Sequence, residues 1–178
     1  MEFPVYLFTG FLESGKTKFI QETLEDSRFC NGERTLLLLC EEGIEEYEEN
    51  KFADDNIFIE TVDGINYFNA ENLTALKKKH RAVRCIIEYN GMWPMKHLYD
   101  NMPKGWIIYQ QMTFADASTF LNYNANMRSL VVDKIQNTEL VVFNRYSDSI
   151  DKTELHKIVR AISRRADIAY EHADGKVD

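Results

Sequence analysis

The chain has 178 residues, of which 44% are hydrophobic and 28% charged, with a formal net charge of −8. That length serves one well-buried α/β domain and is short for two, and the acidic balance argues against general nucleic-acid binding, which needs a basic footprint to displace counterions. The first strand starts within two or three residues, no apolar stretch approaches a membrane span, and Cys30, Cys40 and Cys85 form no paired framework, so a reducing, cytoplasmic setting without a membrane partner is expected.

Short apolar runs alternate with amphipathic stretches, the pattern of a mostly parallel sheet flanked by helices. The run Pro4-Val5-Tyr6-Leu7-Phe8 predicts a strand over 3–9. Directly after it, Gly10-Phe11-Leu12-Glu13-Ser14-Gly15-Lys16-Thr17 completes the pattern G-x-x-x-x-G-K-[ST]. A buried strand feeding a tight loop and a helix over 15–26 presents backbone N–H groups and a positive dipole end to the phosphates of a nucleotide. In that arrangement Lys16 reaches the outer phosphates, the Thr17 hydroxyl holds Mg²⁺, and Gly10, Glu13, Ser14 and Gly15 form the cradle.

Further strands are predicted at 34–40, 56–60, 83–89, 105–115, 138–144 and 167–171. Eight carboxylates and one lysine stand between Glu41 and Asp55, a net of −7, and the weak periodicity over 43–53 reads as a helix or as a mobile segment. A helix over 65–81 follows the Asp63-Gly64 turn and ends on Lys77 to Arg81, where positive charge is favoured. Pro94 opens a short helix, Ser118 or Thr119 caps the next, and Asp151 caps the last, which runs through Arg164. The domain thus covers 1–171, and 172–178 read as a polar tail, the stub of a linker to a further domain.

Two more strand ends carry chemistry. Val83-Arg84-Cys85-Ile86-Ile87 leads into Glu88-Tyr89-Asn90-Gly91, a carboxylate at a strand tip with a glycine three positions on. That suits an Mg²⁺-linked acid followed by an N–H that senses the terminal phosphate, although ordinary strand-end chemistry produces the same letters. Leu140-Val141-Val142-Phe143 leads into Asn144-Arg145, with Asp148 shortly after, where GTPases place an N-K-x-D element that reads guanine. Here the lysine is Arg145 and the acid comes one residue late.

Taken together, these three elements resemble the CobW/HypB/UreG group of P-loop GTPases, the CobW-like branch above all, and the likeness covers the whole chain. The resemblance implies a three-layer P-loop NTPase fold, a Mg²⁺-dependent GTP/GDP site with slow hydrolysis, and a place in metal homeostasis or metallocofactor assembly. A homodimer or a metalloprotein client is the implied partner. It assigns Lys16, Thr17 and Glu88 to catalysis and Mg²⁺, Gly91 to the γ-phosphate switch, and Asn144 to the base. Arg145 would stack on the base, and Asp148 would select guanine if the Tyr146-Ser147 turn bulges. GTP is favoured over ATP.

The family's C-x-C-C metal motif after the third strand is replaced here by Glu60-Thr61-Val62-Asp63-Gly64-Ile65. Cys40 with Glu41 and Glu42 is the substitute on offer for a transition metal; those glutamates otherwise read as a solvated face or as an Mg²⁺ or partner contact. Glu13 stands where the family prefers glycine, and beside triphosphate its carboxylate is expected to turn outward. Met92, Trp93 and Met95 read as core or as a dimer surface. With no catalytic glutamine apparent, a non-catalytic nucleotide-binding regulatory or scaffold module is the alternative function. A small-molecule kinase would need a basic lid, for which no segment stands out.

Overall fold

The computed structural model describes residues 2–11, 13–41 and 46–178. The apolar runs become the strands β1 (Phe3–Gly10), β2 (Thr35–Leu39), β3 (Ile57–Thr61), β4 (Arg84–Glu88), β5 (Trp106–Asp116), β6 (Leu140–Tyr146) and β7 (Asp167–His172). All pair in parallel, in the order β3-β2-β4-β1-β5-β6-β7. The central strands are covered on both faces, which is why β2 and β4 read as near-continuous apolar runs rather than alternating ones. Among the described residues the helices are α1 (Lys16–Glu25), α2 (Ala70–His80), α3 (Met95–Asn101), α4 (Phe120–Asn126), α5 (Arg128–Ile135) and α6 (Lys152–Ile162).

The two-residue period of the strands divides the core into layers. Val5, Leu7, Leu36, Leu38, Cys85 and Ile87 pack with Leu73 and Leu76 of α2 and Met95 and Leu98 of α3. Their neighbours Phe8, Leu37, Ile86, Phe114 and Val142 pack instead with Ile20 and Leu24 of α1. Ala115, Val141 and Phe143 pack with residues of α4, α5 and α6. The result is the three-layer α/β arrangement expected for a P-loop NTPase.

Several boundaries differ from the sequence expectation for local reasons. The helix expected over 65–81 starts at Ala70, because Asn69 caps it by accepting from Asn72 N at 2.9 Å, and Ile65–Tyr67 form a separate 3-10 turn. The helix expected after Thr119 is two, broken at Met127, whose φ of −135° is not helical. Asp151 caps α6 as expected, accepting from Glu154 N at 3.2 Å. Of the stretch 43–53, residues up to 45 lie outside the described residues. The remainder holds only a 3-10 turn at Glu49–Lys51, while Tyr47 and Phe52 pack onto the α1 layer. Crowded like charges oppose a helix there, and two aromatic contacts supply the packing instead. Residues 172–178 turn back along β7, with Asp178 N donating to Tyr170 O at 2.9 Å and His172 N to Lys176 O at 2.8 Å. Among the described residues no helix is long and apolar enough to cross a membrane.

The topology fixes where a ligand can sit. The chain leaves β1 for β2 on one side and later crosses from β4 to β5 on the other, so a crevice opens outside the carboxyl ends of these strands. Register brings the polar strand tips together there: Phe8 pairs with Glu88, Gly10 with Phe114, and Asp116 with Asn144.

Candidate functional site

The loop between β1 and α1 turns on two left-handed glycines, Gly10 at φ +133° and Gly15 at φ +96°. It is closed by Ser14 N donating to Phe11 O at 3.2 Å. Neighbouring backbone comes very near: a Cβ on Gly91 would lie 2.4 Å from Gly10 O. Glycine at 91 is therefore what lets the tip of β4 lie against the loop.

Lys16 opens α1 and is 2% exposed. Its ammonium donates to Gly10 O at 2.8 Å and approaches Glu41 Oε1 at 2.5 Å, with Tyr89 O more distant at 3.4 Å. Glu41 Oε2 in turn accepts from Gly91 N at 2.8 Å. One turn into the helix, Thr17 Oγ1 donates to Glu88 Oε1 at 2.7 Å, and Tyr47 Oη donates to Glu88 Oε2 at 2.5 Å. Burial raises the pKa of Glu88, against hydrogen bonds from Tyr47 and Thr17 and the charge of Lys16. A hydroxyl and a buried carboxylate side by side are hard oxygen donors of the kind Mg²⁺ takes, and a cation there would relieve the desolvated charge, so the residues fit the ion. The segment after Gly91 is held from α5: the fully buried Lys134 donates to the Trp93 carbonyl, and burial lowers its pKa.

Glu13 is exposed, as a carboxylate beside phosphate should be, but it holds φ +62°. A non-glycine residue there costs on the order of 1 kcal/mol. Glu13→Gly is therefore expected to raise stability in urea unfolding by about 1 kcal/mol, less the entropy glycine adds to the unfolded chain. A loss of stability would mean the side chain supports the loop.

A cavity of about 400 Å³ opens on the other side of the loop. Its walls are Gly15, Lys18, Phe19 and Glu22 from the start of α1, Asn144 and Arg145 from β6, and Glu171, His172 and Ala173 from the end of β7. Asn144 Nδ2 donates to the Ser14 carbonyl, while its Oδ1 is buried without a partner. Arg145 sits at φ +52°, at the register shift between β6 and β7. One of its guanidinium nitrogens donates in the plane of the group to Glu13 O at 3.0 Å and Asp116 Oδ2 at 2.6 Å, and the group stands on the cavity wall. Asp148 is exposed beyond the end of β6 and is not among the residues that wall the cavity. The register shift between β6 and β7 lies at Asn144 and Arg145, between Phe143 and Tyr146.

Among the described residues the substitute metal position is not assembled. Cys40 is buried, and desolvation, followed by the Glu88 charge, pushes its thiol well above the ordinary range, so it stays protonated and a poor soft ligand. Glu41 is engaged by Lys16 and Gly91, and Glu42 lies outside the described residues. Among the described residues no three His, Cys, Asp or Glu side chains converge on a metal position. Sequence reasoning missed Tyr47, Lys134 and the Glu171 to Ala173 wall. Only Lys134 left a trace, as a lysine inside the apolar stretch Leu130-Val131-Val132-Asp133-Lys134-Ile135.

No protein-family model matches the chain, and no curated protein matches its sequence. Solved structures do. The hydrogenase maturation factor HypB from Archaeoglobus fulgidus superposes with a TM-score of 0.64 at 17% identity, covering 97% of this chain and 82% of that one. Zn(II)-bound YjiA GTPase from E. coli gives 0.66, and a Zn(II)-bound triple mutant of YjiA gives 0.68, each at 17% identity. Both YjiA matches cover 100% of this chain and 60% of the other. With the G-x-x-x-x-G-K-[ST] loop at the carboxyl end of β1, this chain therefore has the three-layer P-loop α/β fold that HypB and the YjiA GTPase share.

Proposed function

We propose that the chain binds a guanine nucleotide with Mg²⁺ and hydrolyses it slowly, as a P-loop GTPase of the CobW-like branch. The observation that carries this reading is the convergence of Lys16, Thr17, Glu88 and Gly91 on the loop after β1. The names of the structural neighbours, a hydrogenase maturation factor and a zinc-bound GTPase, support a role in metal homeostasis or metallocofactor assembly; the setting proposed with it is the cytoplasm, and the partner a second copy or a metalloprotein client.

The chemistry follows from the residues. Lys16 and the N–H groups at the start of α1 bind the phosphates and hold them in line for attack by water. The Gly91 N–H would donate to the terminal phosphate, and the glycine at 91 lets that N–H lie against the loop at Gly10. Mg²⁺, held by Thr17 and Glu88, would neutralise charge on the phosphate oxygens. Lys134 keeps the segment following Gly91 in place through the Trp93 carbonyl. Phosphate release from Mg²⁺–GTP is expected above the buffer rate; release no faster than buffer would favour the non-hydrolysing regulatory module.

The base belongs in the cavity between α1, β6 and the end of β7. Guanine presents its ring N–H and exocyclic amine as donors; of the two carboxylates on the cavity wall, Glu22 and Glu171, we take Glu171, which the strand register sets beside Asn144, as the acceptor in place of Asp148. Glu171→Gln is expected to cut the preference for GDP over ADP by about tenfold, the loss of a charge-assisted pair, whereas Asp148→Asn should leave it within about twofold. The opposite ranking in competition binding would return the role to Asp148.

A further inference from the structure

The Lys16 ammonium and the Gly91 amide, the two donors aimed at an outermost phosphate, are both bonded to one side chain of the chain itself. Glu41 offers Oε1 to Lys16 Nζ at 2.5 Å and Oε2 to Gly91 N at 2.8 Å, and its side chain is 9% exposed. One carboxylate thus spans the pair, with one oxygen on each donor, as two oxygens of a terminal phosphoryl group would. The ammonium has three protons. Gly10 O and Glu41 take two of them, and the remaining acceptor, Tyr89 O, is distant at 3.4 Å, which leaves one proton for an inner phosphate. Tyr47, six residues on, bonds the free oxygen of Glu88 at 2.5 Å, beside Thr17. Glu41 and Tyr47 therefore hold, respectively, the terminal-phosphate donors and the magnesium carboxylate.

We propose that Glu41 is an internal competitor of the γ-phosphate, so that a nucleoside diphosphate enters with Glu41 in place while a triphosphate must displace it. The inference rests on the reading of this site as a nucleotide site. Room for the displaced side chain exists in an adjoining cavity of about 540 Å³ walled by Thr61, Asp63, Asn90 and Met92. Asp63 on that wall repels a second carboxylate, which biases Glu41 back toward Lys16. Residue 41 then sets the ratio of diphosphate to triphosphate affinity, and loading with triphosphate is coupled to release of Glu41 from Lys16 and Gly91.

The test is a titration of the 178-residue chain with fluorescently labelled GDP and a non-hydrolysable β,γ-imido GTP analogue in Mg²⁺, repeated with the adenine pair, for wild type, Glu41→Gln and Glu41→Asp. Wild type is expected to favour the diphosphate about tenfold or more; Glu41→Gln should tighten the triphosphate about tenfold and leave the diphosphate within about twofold. Glu41→Asp, too short to reach both donors, should behave like Glu41→Gln. An equal change in both ligands, or a weaker triphosphate, overturns the competitor role while leaving the nucleotide site standing. Failure of wild type and variants to bind any of the four nucleotides overturns the nucleotide reading, and this inference with it.

Discussion

Lys16→Ala is expected to abolish Mg²⁺–GTP binding in calorimetry. The lysine is almost wholly buried, its ammonium is held at the mouth of the loop by Gly10 O, and its stem is fixed as the first residue of α1. Removing a desolvated cation from a triphosphate site costs roughly 2–5 kcal/mol, so affinity should fall by about 30-fold at the least. The same change strands a partner in the unliganded protein. Glu41 would keep the Gly91 N–H but lose its counter-charge, and breaking one half of a buried ion pair destabilises by about 3–5 kcal/mol. Adding Glu41→Gln to Lys16→Ala should therefore recover part of the lost stability without recovering binding. Retained affinity near the wild-type value would remove Lys16 from the phosphate site.

Gly10→Ala is expected to be the most damaging single methyl in the loop. Gly10 ends β1 at φ +133°, and a Cβ there would lie 2.1 Å from the Phe114 carbonyl oxygen and 3.0 Å from the Phe114 carbonyl carbon and amide nitrogen. These are backbone atoms of β5, a strand paired on both sides by β1 and β6, so nothing nearby can yield cheaply. The expected loss is about 3 kcal/mol, or roughly 10 °C in melting temperature for a chain of this size. Binding should suffer as well, because the Gly10 carbonyl that anchors Lys16 must move. Gly32→Ala is the control: φ is +88°, but nothing lies within 4 Å of the added carbon, so only the conformational cost of about 1 kcal/mol remains. Equal melting shifts in the two variants would show that backbone conformation, not the packing of β1 on β5, governs position 10.

Much of this was legible in the sequence because it was local. The strand before Gly10, the loop and the first turn of α1 occupy one contiguous stretch whose letters each meet a requirement of backbone or phosphate. The positions of Glu88 and Gly91 were legible for the same reason, since a strand tip and the glycine after it fix a position whatever the rest of the chain does. The placement of Asp148 was not, because it depends on the register shift between β6 and β7 at Asn144 and Arg145, and a positive φ at an arginine leaves no mark in the letters. Glu171 was hidden likewise, reaching the cavity beside Asn144 only through the pairing of β7 with β6. The acidic stretch left its role open, as a solvated face or as an Mg²⁺ or partner contact; in the fold one of its carboxylates is largely buried on Lys16, and Tyr47 is bonded to Glu88. The ion pair of Arg145 with Asp116 was not legible either, because only the pairing of β5 with β6 brings the two side by side.

The most direct test of the central claim is calorimetric titration of the wild-type chain with GDP and GTP, and with ADP and ATP, in Mg²⁺. One site per chain is expected, at micromolar affinity or tighter for the guanine nucleotides and about tenfold weaker for the adenine ones, with binding lost in Lys16→Ala. The absence of binding heat with every one of these nucleotides, or binding that survives Lys16→Ala unchanged, would contradict the assignment of the loop between β1 and α1 as a guanine-nucleotide site.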